Sequence, residues 1–445
     1  MASTYLSRVS GTPTSTKKFT ISFWVKKCGQ GADQFLVSSF TDASNRMQVN
    51  FNTDDRVDFI CKVSGSNVIR KQPNRQLRDP SAFYHVVVAV DTTLGTASDR
   101  CKIYINGEQE TSFAYETNPS QNADANVSGD HFIGAYDNGG SPSLFFDGVL
   151  SHVHFTDGYT YDASTFGSTD ATTGEWKINT SPSITMGTNG FTILKDGNTI
   201  TDQSANSNNF SLGGGTLTNT EDCPSNVFCT WNAINPFGGT LANGNLTVGN
   251  SSSYDHNVQG TLGMTSGKYY WEYKMGNSHG EFGVCENGKS PQTDPQNAAG
   301  NYFIYNNGSN TTGTVYNNVS GSSSSTVTVT AFASGMICGC AYDADNEALY
   351  FHQNGTYVNS GDPTSGANKT GAIITNLRAR NGGVIVPFMG FGTSSARTNF
   401  HANFGNGFFG TTAISSEGTN ASGIGKFEYD VPTGYTALST KGLNE

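Results

Sequence analysis

The chain has 445 residues, room for two or three domains at about 150 residues each. Charged residues make up 14%, aromatics 11%, and 53 residues are glycine; that balance argues against helical bundles and coiled coils, and the aromatic content argues against wholesale disorder. A net charge of −11 argues against a nucleic-acid partner. Lys71, Arg75 and Arg78 form the nearest approach to a basic cluster, and they read as a solvated loop. The N-terminus, Met1-Ala2-Ser3-Thr4-Tyr5, has no basic stretch leading into an apolar run, so no signal peptide is expected. No apolar run approaches the ~20 residues of a membrane span, so no membrane insertion is expected either. Synthesis in a reducing cytoplasm follows, and eight cysteines are too sparse for a disulfide scaffold. Free thiols are therefore expected, with Cys338 and Cys340 packed in a core.

The first 160 residues divide into short strands. Phe19, Ile21, Phe23 and Val25 alternate with Thr20, Ser22 and Trp24, a period of two with one apolar face. Further strands are expected over 34–39, 46–51, 57–62, 83–91, 131–135 and 144–155. The run Cys101-Lys102-Ile103-Tyr104-Ile105 ends at Asn106-Gly107, which predicts a type I′ hairpin turn. At least eight short strands at this spacing predict a sandwich or jelly roll. The ordered set Phe23-Trp24-Val25, Tyr84-His85-Val86, Tyr104-Ile105-Asn106-Gly107, Ile133-Gly134-Ala135 and Phe146-Asp147-Gly148-Val149 resembles a laminin-G or concanavalin-A-like lectin domain, assigned to residues 1–160.

Residues 161–226 are dominated by Ser, Thr, Asn, Gly and Asp. They predict a connector wrapped on the surface of the first sandwich, held by a strand at Phe191-Thr192-Ile193-Leu194 and by Trp176. From Phe228 strands return. Gly267-Lys268-Tyr269-Tyr270-Trp271-Glu272-Tyr273, Glu281-Phe282-Gly283-Val284, Gly339-Cys340-Ala341-Tyr342-Asp343, Ala348-Leu349-Tyr350-Phe351 with the Asn354-Gly355 turn, and Val386-Pro387-Phe388-Met389 resemble a SPRY domain, assigned to 227–410. Trp24, Trp271 and Phe351 are expected to be buried. Residues 411–445 are expected as an extended C-terminal tail. The whole reads as all-β: two β-sandwiches of jelly-roll type in series.

Candidate chemistry is thin. Glycosidases on concanavalin-like folds need two carboxylates astride a sugar bond. Asp54, Asp55 and Asp58 read instead as a turn, and Glu272 has no partner at strand spacing. Asp343-Ala344-Asp345-Asn346-Glu347 lacks the glycine and distal glutamate of a calcium loop. His152 and His154 form an i, i+2 pair with no third ligand, read as a solvated strand face. No catalytic residue, metal or cofactor is assigned, and the chain is expected not to be an enzyme. The candidate ligand-binding residues are Tyr302, Tyr305, Asn306, Asn307 and Asn310, in a loop expected over 300–315, together with Asp137 and Asn138. Aromatic faces stack on sugar rings, and amides both donate and accept hydrogen bonds. The pairing of modules resembles structural proteins of marine tailed bacteriophages, cyanophages especially. That resemblance implies a virion protein present in many copies and contacting other virion proteins. Two roles stay open: a tail- or fibre-associated adhesin for host-surface glycan or outer-membrane protein, and a decoration or knob protein that touches only virion chains.

Overall fold

The computed structural model describes residues 3–444 except 126–128, 138, 196, 198, 235, 237–238, 251–255, 277, 288–294, 308–309, 319–322, 378–383 and 392–398. Strands take up 45% of it and helix 5%, an all-β chain. It divides into two compact units, Met1–Asn219 and Thr220–Glu445.

The first unit is a sandwich of two sheets. In spatial order the larger sheet runs Phe113–Thr117, Ser66–Pro73, Val57–Val63, Asn45–Phe51, Gln34–Asp42, Asp130–Ile133, Tyr5–Arg8 and Ser211–Gly214. The smaller runs Phe191–Ile193, Gly148–Asp157, Lys18–Lys27, Phe83–Asp91, Cys101–Ile105 and Glu108–Gln109. Alternation sets the faces, because successive strand side chains point to opposite sides. Phe19, Ile21, Phe23 and Val25 turn inward, against Val49, Phe51 and Phe59 of the larger sheet. Each such side chain contributes about 1.5–3 kcal/mol on burial. Asn106 and Gly107 carry φ of 49° and 83°, as the predicted turn requires.

The outer face of the smaller sheet is also covered. Residues 161–190 lie on it, with Ala163, Phe166 and Trp176 packed around Val87. The His85 ring lies between Trp24 (4.9 Å) and Trp176 (6.0 Å), and the Trp176 indole N–H donates to His85 Nδ1 at 3.1 Å. The segment is more than a surface wrap. Phe191 and Phe210 enter the core of the first unit, and Ser211–Gly214 pairs with Tyr5–Arg8.

The second unit is another sandwich. One sheet is built around Lys268–Lys274 and Ile337–Asp343, with Ala348–Gln353 and Thr356–Tyr357 beyond. The other runs His256–Gln259, Ile385–Phe391, His279–Glu286, Asn301–Asn307, Thr312–Asn317 and Ser324–Thr328. Trp271, Tyr273, Phe282 and Phe351 fill the core, and Cys338 and Cys340 both face it. All eight cysteines are free. Residues 411–445 are not an extended tail. Thr436–Ala437 pairs in parallel with Lys268–Lys274, and Tyr435 and Leu438 are buried. The cause lies in the apolar residues Val431, Tyr435 and Leu438, whose burial outweighs the freedom of a loose end.

Candidate functional site

The structure corrects the loop expected over 300–315. Asn301–Asn307 and Thr312–Asn317 are paired strands within the smaller sheet of the second unit. Tyr302 is 0% exposed and sits in the core beside Ile304. Tyr305 is half-buried against Phe303 and Phe388. Asn306 is buried, and its amide donates to the carbonyls of Asn310 (2.9 Å) and Thr312 (3.3 Å), tying the hairpin end together. Asn310 is exposed. Among the described residues of this set, only Asn310, and in part Tyr305, offers surface. Asp137 is buried and accepts the Gly140 N–H at 2.9 Å, a turn-forming role. Asn138 and the side chain of Asn307 lie outside the described residues.

The acidic and histidine clusters are structural. Asp55 accepts a hydrogen bond from the fully buried Lys27 ammonium and from the Gly31 N–H. Asp58 is held by Arg70 (2.9 Å) and Gln72 (3.0 Å). His154 is buried rather than solvated: a bulge at His152, where φ is 50°, turns it under Phe166 and onto the Thr192 hydroxyl at 2.8 Å. Burial pushes its pKa down to about 3. Among the described residues no group of His, Cys, Asp or Glu is placed to hold a metal.

Glu272 is fully buried in the second unit. Its carboxylate accepts from the Tyr270 hydroxyl (3.0 Å), the Asn403 amide (3.2 Å) and the N–H groups of Glu428 (2.9 Å) and Tyr429 (2.8 Å). Desolvation drives its pKa up to about 7, and the two backbone donors restrain the rise. Gly355 N–H donates to His352 Nδ1 at 3.1 Å, which leaves the ring proton on Nε2, facing the Tyr270 oxygen at 2.6 Å. This chain of bonds joins three strands and the segment 427–429.

The remaining built surface is the outer face of the larger sheet in the first unit. Along Asn45–Phe51, Met47, Val49 and Phe51 turn inward, so Arg46, Gln48 and Asn50 turn outward. Gln48 stands opposite Ser38 and Ile60, and Asn50 opposite Phe35 and Asp58. Gln48 is only 8% exposed and Asn50 5%, yet among the described residues Gln48 Oε1 and Asn50 Oδ1 have no hydrogen-bond partner, and neither does Arg46 Nε. Such groups cost free energy, so native folds rarely keep them without a reason. Rings flank the polar strip. Tyr136 packs on Phe35 (4.7 Å) with the Arg46 guanidinium 5.7 Å from its centroid. Tyr115, 54% exposed, carries the Arg70 guanidinium at 4.0 Å. Acceptors, a donor and ring faces side by side suit a polyhydroxylated ligand. The sequence signal was the alternation in Arg46-Met47-Gln48-Val49-Asn50-Phe51, which marks a polar outer face.

Residues 2–160 match the family model of the concanavalin A-like lectin/glucanases superfamily. No curated protein sequence matches the chain. Among solved structures, the SPRY domain of human HERC1 is 16% identical, covering 39% of this chain and 96% of that one, with a TM-score of 0.31. Domains LG4-5 of the mouse laminin α1 chain are 8% identical over 96% of this chain and 93% of that one, with a TM-score of 0.31. A heptameric SAP-like pentraxin from Limulus polyphemus is 18% identical over 35% of this chain and 70% of its own, with a TM-score of 0.27. The match over residues 2–160, about a third of the chain, makes the first sandwich similar to a lectin-type fold, which is compatible with carbohydrate or protein binding.

Proposed function

We propose that this chain is a non-enzymatic recognition protein on the surface of a tailed-phage particle, binding host-surface glycan or protein through the outer face of the larger sheet in its first unit. The observation that carries the reading is the pair of buried, unpartnered amide oxygens on Gln48 and Asn50, set between Tyr136 and Tyr115. The placement on a virion rests on the resemblance of the two modules in series to phage structural proteins. The non-enzymatic reading draws support from one distance. The carboxylates on this face are Asp58 and Asp130, three strand spacings apart, hence at least about 14 Å. Glycosidases need about 5–9.5 Å, and Asp58 is already bound by Arg70 and Gln72. No cofactor, nucleic acid or membrane insertion enters the proposal. Many copies per particle would raise avidity by ~10²–10⁴ over one weak site.

The test is competition. Protein displayed in multiple copies should bind host cells and slow phage adsorption, and Gln48→Ala with Asn50→Ala should weaken both at least tenfold. If multivalent protein neither binds nor competes, while particles lacking it are fragile or unassembled, the decoration role replaces the adhesin. Release of soluble sugar from host envelopes would overturn both.

A further inference from the structure

The second unit carries an open sheet edge beside a groove. Ser324–Thr328 ends its sheet, pairing with Thr312–Asn317 on one side, and among the described residues no strand pairs with its other side. The register decides which backbone groups are free. Val329 N–H donates to the Thr311 carbonyl and Asn317 N–H to the Ser323 carbonyl, both at 2.9 Å between directly opposed residues. In an antiparallel ladder, bonded and non-bonded pairs alternate. The odd-numbered positions therefore face the ladder, and the N–H and C=O of Ser324, Thr326, Thr328 and Thr330 point away from it. At Thr330 one side chain takes both groups. The Gln353 amide accepts from the N–H at 2.8 Å and donates to the C=O at 2.7 Å, the two bonds a neighbouring strand residue would make. Among the described residues no group does the same at Thr326 or Thr328.

Beyond this edge lies a groove of about 790 Å³. Its far wall is Thr356, Tyr357 and the turn through Asn359 and Ser360. No lining residue is charged. Natural edge strands are usually guarded by Lys, Pro or a covering element; the stretch from Ser324 to Thr330 has neither residue, and the element beside it is the short turn Val358–Ser360.

We propose that Ser324–Thr328 receives an extended, uncharged polypeptide segment of another protein as an added strand. The free donor–acceptor pairs recur every second residue, about 7 Å apart, which is the repeat of a second strand. Gln353 already supplies the first rung of that ladder. A charged segment would lose water with no counter-charge in the groove, so the partner's contacting residues are neutral and β-prone, of Thr, Ser, Val and Gly type.

The probe is a capped, fluorescein-labelled Gly-Thr-Val-Thr-Val-Thr-Gly peptide added to the full chain. It should raise anisotropy saturably and slow amide exchange at Thr326 and Thr328 at least tenfold. Thr328→Pro deletes an outward N–H and spares the ladder, so it should cut affinity at least tenfold with unchanged exchange in the core. Thr326→Lys tests the same edge without a proline, and it decides the matter if the proline variant fails to fold. Equal binding by a folded Thr328→Pro or Thr326→Lys variant, or protection elsewhere, overturns the proposal. So does the absence of binding at millimolar peptide. Concentration-dependent dimers lost on Thr328→Pro would assign the edge to a second copy of this chain. Slowed exchange with maltoheptaose but not with peptide would assign it to a glycan. Either result replaces the proposal.

Discussion

Gln48 and Asn50 hold the most informative atoms of the first unit because they are buried and unpaired. Leaving a buried acceptor without a donor costs about 1–3 kcal/mol, and an apolar side chain of similar shape avoids that cost. Gln48→Met should therefore raise the stability of the first unit by about 1 kcal/mol while weakening ligand binding. Denaturant midpoints check the first half and cell binding the second; a loss of 1 kcal/mol would show that the amide is bonded in the folded protein. Glu272 makes a different residue-scale prediction. An unfolded glutamate titrates near 4.5, the folded one near 7. Between these values the folded chain keeps a proton on Glu272 that the unfolded chain releases, so this group's contribution to stability falls as pH rises from about 4.5 to 7. Two and a half pH units correspond to about 3 kcal/mol. His352, in the same cluster, is pushed down to about 3 by burial and acts in the opposite sense, its contribution growing as pH rises to 6.5. The Glu272 contribution is therefore read as a difference: Glu272→Gln should make the stability of the second unit rise more steeply between pH 4.5 and 7.5 than in the wild-type chain, and an unchanged dependence would show that Glu272 is ionised throughout.

At the scale of elements, the hairpin turns were the most legible features. Asn106-Gly107 and Asn354-Gly355 each place two residues at positive φ, a conformation glycine and asparagine reach most cheaply. Gly107 does a second job: a Cβ there would lie 2.4 Å from the Trp176 ring. Gly107→Ala should destabilise the first unit by about 2–4 kcal/mol, from left-handed strain and overpacking together. A thermal shift indistinguishable from wild type would show that 161–190 does not press on the turn. The burial of Trp24, Trp271 and Phe351 was equally legible, since each stands in a strand flanked by apolar neighbours. The 300–315 stretch was misread for a physical reason. Its tyrosines and asparagines look like a binding loop by composition, but a period of two puts Tyr302, Ile304 and Asn306 on one face and Phe303 and Tyr305 on the other. Both faces meet apolar neighbours, so alternation alone shows no outward side. In Asn45–Phe51 one face is plainly polar, and there the same period would have found the outer-facing amides.

At the scale of the whole molecule, two sandwiches in series were legible, but their limits were not. Composition changes near residue 160 and again near 410, while the contacts within each unit place the division between Asn219 and Thr220. The discrepancy arises because a few apolar residues in a polar stretch suffice to anchor it. Phe191, Ile193 and Phe210 complete the first core, and Ser211–Gly214 covers the edge of Tyr5–Arg8. Val431, Tyr435 and Leu438 do likewise for the second unit. Removing a large buried side chain costs about 2–5 kcal/mol, and a domain has only about 5–15 kcal/mol to lose. A fragment of residues 1–160 forfeits three such side chains and two strands of the sandwich sheets, so it should not fold cooperatively. Residues 1–219 keep them all and should. The same contrast should separate 227–410 from 220–445. Expression of the four fragments, with near-ultraviolet circular dichroism and thermal melts, checks this directly. A sharp melt for 1–160 equal to that of 1–219 would show that the polar stretch contributes nothing to the first core, and that the Trp176, Phe191 and Phe210 contacts are incidental to its stability.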